Sequence, residues 1–323
     1  MKLREIAHLL EGDLKGDPNA EVQGISSPQR SRKGTIVFCR DKKEIEEAIK
    51  GNPTALVTSI ETEYHSYIRV KDVRYALALF LDKFFPERHP SGISPRSVIG
   101  ENVTIGREVY VGDFTYIGNN VTLGDGVKVY PLSYIGDNTV VGEDTIIFSG
   151  VHIYPNTVIG KKVRIHSGVV IGADGFGYCI GKEEIKKLNH IGNVIIEDEV
   201  EIGANTTVDR ALIDSTLVKR GTKIDNLVMV AHNCQVGEEN IIVGQSGLAG
   251  SVKTGKRVTL AGQCAVGDHI EIGDFVTVVA RGAVSKNLES GKIYGGGIPA
   301  MEWNKWKRIY AMIMKLPEIF GKK

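Results

Sequence analysis

From Ile99 onward an aliphatic residue recurs at every sixth position: Ile99, Ile105, Val111, Ile117, Leu123, Val129, Ile135, Val141, Ile147, Ile153, Ile159, Ile165 and Ile171. Two places before each next aliphatic runs a track of small residues, among them Val103, Val109, Thr115, Val121, Val127, Ser133, Thr139 and Thr145. Polar residues and glycines fill the positions between. The pattern lapses after Gly172, resumes at Ile196, Ile202 and Val208, slips by four residues, and runs again from Val218 to Val284. A period of six does not match the 3.6 residues of a helical turn. It matches short strand–turn units, each turning one large and one small side chain inward. Three such units close a triangular coil of 18 residues, and the next coil stacks on it at a strand spacing of about 4.8 Å. Pro131 and Pro155 fall two places after an aliphatic, at a corner where no ladder N–H is lost.

This hexapeptide pattern resembles the left-handed parallel β-helix family, and the resemblance, not the spacing, supplies the handedness. Residues 1–97 lack the repeat. They mix helical spacing (Met1–Leu10, Lys42–Lys50, Val73–Phe85) with strand-like runs (Thr35–Cys39, Thr54–Thr58, Ser66–Val70), as a small α/β domain does. Pro86, Pro90, Gly92 and Pro95 mark the linker. After Gly297-Ile298-Pro299, Trp303, Trp306, Ile309, Tyr310, Ile313 and Leu316 follow three- and four-residue spacing. The expected fold is mostly β: an N-terminal α/β domain over 1–97, a left-handed β-helix over 98–297 and a C-terminal helical extension over 298–323. That last segment carries Lys305, Lys307, Arg308, Lys315, Lys322 and Lys323 against Glu302 and Glu318. It suits a cap on the open end of the solenoid, a docking surface for an acidic partner, or both.

Charge narrows the partners. The chain has 40 basic and 39 acidic residues and a net charge of +1, which argues against nucleic acid, whose phosphates need a concentrated basic surface. The apolar run Tyr75–Leu81 is far short of the roughly 20 residues that span a bilayer, and Met1–Leu10 has the spacing of a helix, not of a signal peptide. No transmembrane segment is expected. Four cysteines, Cys39, Cys179, Cys234 and Cys264, form no CxxC and no dense framework, so the reducing cytoplasm is the expected compartment. Cys234 and Cys264 lie on the small inward track and read as buried filler.

Coil arithmetic singles out one histidine. Residues 18 apart are vertical neighbours, so His232 lies over Gly250, and Gly250 over Asp268, with His269 beside it. A corner histidine is ordinarily a solvated surface residue. Here Asp225, Asn226 and Asn233 surround it in sequence, and Gly250 has no Cβ to keep a substrate carbonyl from its N–H. A base facing a backbone donor is the pairing that acyl transfer needs. A zinc site built on histidines five apart is not available, because position 237 is Gly and no other pair has that spacing. Neither metal nor cofactor is expected. The stretch Gly172-Ala173-Asp174-Gly175-Phe176-Gly177-Tyr178, which opens the break in the repeat, is a surface loop or part of a binding site.

Those motifs carry a more specific resemblance. Gly172–Tyr178, Ile191–Ile196, Glu201–Arg210 and Lys223–Asn233 are similar to the UDP-3-O-acylglucosamine N-acyltransferases of lipid A biosynthesis, and the likeness extends over nearly the whole chain. It implies transfer of a 3-hydroxyacyl chain from acyl carrier protein to the 2-amine of UDP-3-O-acylglucosamine, in a homotrimer with sites in the clefts between subunits. It implies His232 as general base, the Gly250 amide as the group polarising the thioester carbonyl, His269 as a second functional histidine, and Asp225, Asn226 and Asn233 around the base, with Asp225 orienting the imidazole. It also implies a uracil-binding N-terminal domain that uses an FxxNxxY pattern. This chain keeps Phe38 but has Asp41 and Glu44 in place of the amide and the second aromatic. The nearest rival is an O-acyl- or acetyltransferase acting on another nucleotide sugar.

Overall fold

The computed structural model describes residues 1–297 and 300–320. It divides between His89 and Pro90 into two compact units. In the first, strands β1 (Asp13–Lys15), β2 (Gly24–Ile25), β3 (Thr35–Cys39), β4 (Ala55–Thr58) and β5 (Tyr67–Arg69) form one sheet in the order β1-β5-β4-β3-β2. All neighbours are parallel except β1 and β5. Helices α1 (Leu3–Leu9), α2 (Lys42–Ile49) and α3 (Val73–Phe84) complete the unit. Every residue of β3 is buried, because both faces of the sheet are covered. Ile36 and Phe38 face a core with Leu3, Ile6 and Phe80, whereas Val37 and Cys39 face a second one with Ile45 and Ala48 of α2. The period of two in β3, β4 and β5 thus serves two cores.

The second unit is a left-handed parallel β-helix. Its strands fall into three parallel sheets of ten, nine and eleven strands. Tyr116 pairs with Tyr134 and Ile117 with Ile135, an offset of one 18-residue coil. The aliphatic track forms the core: Ile117, Ile135, Ile153 and Ile171 are fully buried, and so are Thr139, Thr145 and Thr157 of the small track. Each such isoleucine contributes about 1.5–3 kcal/mol by leaving water. The ladder starts at Gly92–Ile93, which pairs with Tyr110–Val111, upstream of the first regular aliphatic at Ile99.

Corners explain the polar positions. Asn102, Asn120, Asn138 and Asn156 stand at φ of 56°, 56°, 57° and 65°, a left-handed conformation that asparagine tolerates better than most residues. Their side chains form a ladder, Nδ2 to Oδ1, at 3.3, 3.1 and 3.2 Å. Cys234 and Cys264 point inward as the track requires; the Cys234 thiol donates to the Ala249 carbonyl, and burial pushes it up to about 12.

Two insertions interrupt the coil. Between Val158–Ile159 and the strand above it, Ile195–Ile196, the offset is 37. A hairpin, Tyr178–Ile180 with Ile185–Lys187, occupies the excess. One coil later Thr207 pairs with Met229, an offset of 22, and residues 211–214 form the extra turn. By Leu217 and Gln235 the offset is 18 again. After the last strand comes helix α4 (Trp303–Phe320), in which Trp306 stacks on Tyr310 at 4.6 Å. Trp303, Tyr310, Ile313 and Leu316 remain exposed. Ile298, Pro299, Lys322 and Lys323 lie outside the described residues, and so does the side chain of Glu318.

Candidate active site

Both insertions converge on His232. The strand Met229–Val230 ends at a corner formed by His232 and Asn233, the latter left-handed at φ 61°. On the next coil Ser251 donates its N–H to the His232 carbonyl, and on the coil after that His269 donates to the Gly250 carbonyl. His232 and Gly250 therefore stack at one corner, with His269 beside that column on the following coil, in line with Asn233 and Ser251, which share its left-handed φ. The imidazole lies directly against Gly250: a Cβ there would fall 2.7 Å from Cε1 and 2.8 Å from Nε2. On the other side the glycine-rich loop closes in, and a Cβ on Gly175 would fall 2.7 Å from the His232 Cβ and 2.8 Å from Cδ2. Neither glycine has a left-handed φ. Space alone demands glycine at both positions, and the ring is gripped between two bare backbones.

Asn233 fixes the tautomer of the neutral ring. Its Nδ2 donates to the Ile213 carbonyl at 2.9 Å, and its Oδ1 accepts from the Leu212 N–H at 3.0 Å. Both partners belong to the four-residue insertion, so the amide orientation is set by backbone groups of opposite kind. Oδ1 also lies 3.1 Å from His232 Nδ1. An acceptor there requires the neutral imidazole to carry its hydrogen on Nδ1, which leaves a lone pair on Nε2, the nitrogen over Gly250. The flanking Ala249 and Ser251 N–H groups are spent on Val266 and His232, whereas the Gly250 N–H has no acceptor among the described residues.

Sequence reasoning missed three groups here. Gly175 sat unremarked inside its loop. His190, in the long insertion, is buried and packs edge-to-face on His232, with centroids 5.4 Å apart and planes at 69°. Asp209 follows the strand residues that pair with Met229 and Val230. Burial raises its carboxyl to about 6, against the opposing pull of His232 and with a further push from Asp174. The signal available was positional: each lies within or beside a break in the six-residue period.

Comparison with known proteins now bears on this arrangement. A protein from Geobacter sp. (strain M21) named UDP-3-O-acylglucosamine N-acyltransferase is 51% identical over 320 residues, covering 98% of this chain and 92% of its own. One of the same name from Campylobacter lari is 40% identical over 327 residues, covering 97% and 98%. The chain belongs to the UDP-3-O-acylglucosamine N-acyltransferase family. The protein is accordingly an acyltransferase. The profile of the family described as the GMPPB C-terminal domain matches residues 88–175 only, a stretch made mostly of the regular coils. The crystal structure of an Arabidopsis UDP-N-acetylglucosamine acyltransferase aligns with a TM-score of 0.54 at 23% identity, over 72% of this chain and 84% of that one, and bears on the fold alone.

The remaining sequence-predicted residues of this family member are placed as follows. Asn233 and Gly250 adjoin His232; His269 is exposed at the same corner, one coil beyond Gly250. Asp225 is not beside the imidazole. It stands one corner earlier in the coil, where its carboxylate accepts from the N–H of Gly244 at 2.9 Å and of Asn226 at 2.8 Å. The Asn226 side chain accepts from the Ala204 N–H at 2.7 Å. Both line a groove with His166, Glu201 and Lys223. Within one chain the group facing His232 Nδ1 is Asn233, not Asp225. In the N-terminal unit, Phe38 packs on Phe80 at 5.4 Å and lines a pocket of about 490 Å³ with Ser26, Ser27, Arg40, Glu44 and Arg74. Asp41 is the N-cap of α2, accepting from the Glu44 N–H at 2.8 Å. Glu44 is held by Arg40, whose hydrogen bonds keep its carboxyl below the usual range. The two departures from FxxNxxY thus form a helix cap and an ion pair.

No group of three or more metal-ligating side chains occurs among the described residues. No helix among them is long and apolar enough to cross a membrane.

Proposed function

We propose that this protein transfers a 3-hydroxyacyl chain from acyl carrier protein to the 2-amine of UDP-3-O-(3-hydroxyacyl)glucosamine, in the cytoplasm, as a step of lipid A biosynthesis. One observation carries the chemistry: an imidazole with its Nε2 lone pair directed over a glycine whose N–H is uncommitted. His232 Nε2 takes a proton from the sugar amine as its nitrogen attacks the thioester carbon. The Gly250 N–H donates to the developing oxyanion, where a positioned donor is worth far more than in water. Collapse breaks the C–S bond, and the proton on His232 passes to the leaving thiolate. The amide forms and the carrier thiol is released, with no covalent enzyme intermediate. Asn233 holds Nδ1–H throughout, and Asp209 places a carboxylate near the imidazolium that forms in between.

The working assembly in this reading is a homotrimer. Asp225 and His232 occupy successive corners of one coil, so the two can serve a single reaction centre when they come from different subunits. Phe38 and its pocket take the uracil, and the basic face of α4 meets the acidic carrier protein. The deciding assay supplies the purified full chain with UDP-3-O-acylglucosamine and a panel of acyl carrier protein and coenzyme A thioesters. The reading requires N-acyl product from the carrier-protein donors. Replacing His232 by alanine should lower kcat by about 10²–10⁴-fold, the usual worth of general base catalysis, with the melting temperature little changed. Near-normal turnover in that variant would remove His232 from the mechanism.

A further inference from the structure

One imidazole beside the site has no part in that chemistry. His190 is 6% exposed. Its Nδ1 lies 3.0 Å from the Leu188 carbonyl, an acceptor, so Nδ1 carries the hydrogen and Nε2 a lone pair. That Nε2 is buried and has no partner. Backbone grips this ring as it grips His232: a Cβ on Gly177 would fall 2.8 Å from Cε1, and one on Gly175 would fall 3.0 Å from Nε2. The position that a Gly175 Cβ would take lies 2.8 Å from His232 Cδ2 as well. The unpartnered nitrogen and the flank of the base therefore border the same small volume.

Burying an acceptor without a donor costs free energy. A phenyl ring would fill the same space at no such cost, so packing alone does not account for a histidine. We propose that His190 is a positioning residue for the base. It clamps the His232 imidazole at a fixed angle over Gly250, and it turns the negative end of its own ring dipole toward the flank of the imidazolium during proton transfer. The proposal rests on the base role given to His232 above. Charged groups around the pair are Asp209 beside the His232 corner, and Asp174, Lys187 and Arg210. Asp174 and Lys187 pair at 2.5 Å, and Arg210 donates to the Gly172 carbonyl at 2.6 Å, so both cations are committed elsewhere.

The test compares His190→Phe, His190→Gln and His232→Ala in the full-length enzyme, reading kcat, KM for both substrates and the melting temperature. Phenylalanine keeps the bulk and removes both nitrogens. Glutamine keeps a donor for Leu188 and an acceptor for the buried side. The expected result is a kcat about ten-fold lower for His190→Phe, KM values within about two-fold, an equal or higher melting temperature, and recovery of most of kcat in His190→Gln. Wild-type kcat in His190→Phe overturns the proposal. So does a parallel fall of kcat and melting temperature in both variants, which is loss of packing, or a rise in KM at constant kcat, which is substrate binding. If His190→Phe does not fold, His190→Met takes its place under the same criteria. Should His232→Ala be fully active, the base assignment fails first; an inactive His232→Ala beside normal His190 variants sinks only the positioning role.

Discussion

At the scale of single residues, the proposed chemistry depends on side chains that are missing. Gly250 and Gly175 are required because an imidazole occupies the space that a Cβ would need, not because of their backbone angles. Gly250→Ala should therefore push His232 off its position and lower kcat by more than about 100-fold, the scale of losing an oriented base and a donor together. Circular dichroism and melting temperature should stay near wild type, since the corner is at the surface. Asp209 presents the opposite case, a charge kept at a cost. Its carboxyl is raised by burial from 3.8 to about 6, so the folded state holds its proton more tightly than the unfolded chain does. That cost is absent below about pH 4, grows as pH rises to about 6, and is complete above it. Asp209→Asn should be more stable than wild type by about 1–2 kcal/mol at pH 8, after allowance for partial solvent access, and no more stable at pH 4. Its kcat should fall, because the counter-charge to the imidazolium is gone. Denaturant titrations at the two pH values and steady-state rates check both halves.

Elements show what a sequence can and cannot disclose. The solenoid was legible because inward positions repeat every six residues and any polar substitution there would be buried; Ile117 to Ile171 behave as that rule demands. The column His232–Gly250–Asp268, with His269 beside it, followed from the same count, and the ladder reproduces it: the N–H groups of Ser251 and His269, each one place past the vertical neighbour, bond the carbonyls of His232 and Gly250. In contrast, Asp225 is close to His232 in sequence yet belongs to another corner, since six residues carry the chain along a full side of the triangle. His190 and Asp209 could not be placed by counting. They lie where the offset jumps to 37 and then to 22, and counting has no purchase on an insertion that folds back on the coil. Asp41 and Glu44 were read against a binding motif, while locally they obey helix-capping and ion-pair rules. Helix α4 is loosely held along its described residues: its aromatic residues stack on one another and still leave Trp303 and Ile313 exposed. Ending the chain after Ala300 should raise KM for carrier-protein thioesters about ten-fold or more, while turnover with a short pantetheine thioester, which has no protein to dock, changes little. Equal KM values with and without α4 would leave the helix as a cap.

For the molecule as a whole, stability is a sum of similar coils with nearest-neighbour contacts. Excising residues 117–134 joins Tyr116 to Ile135, its own continuation one coil later, and should give a protein that melts cooperatively within about 5 °C of the parent. Removing 17 residues instead turns every inward side chain beyond the junction onto the wrong phase, and no soluble folded product is expected; differential scanning calorimetry and solubility distinguish the two. The consequence extends to the two insertions. Both join the coil at points where the ladder resumes in register on either side, so their length and composition are free of the constraint that governs the rest of the chain. Changes in these appendages can therefore alter what borders His232 without shifting the register of a single coil.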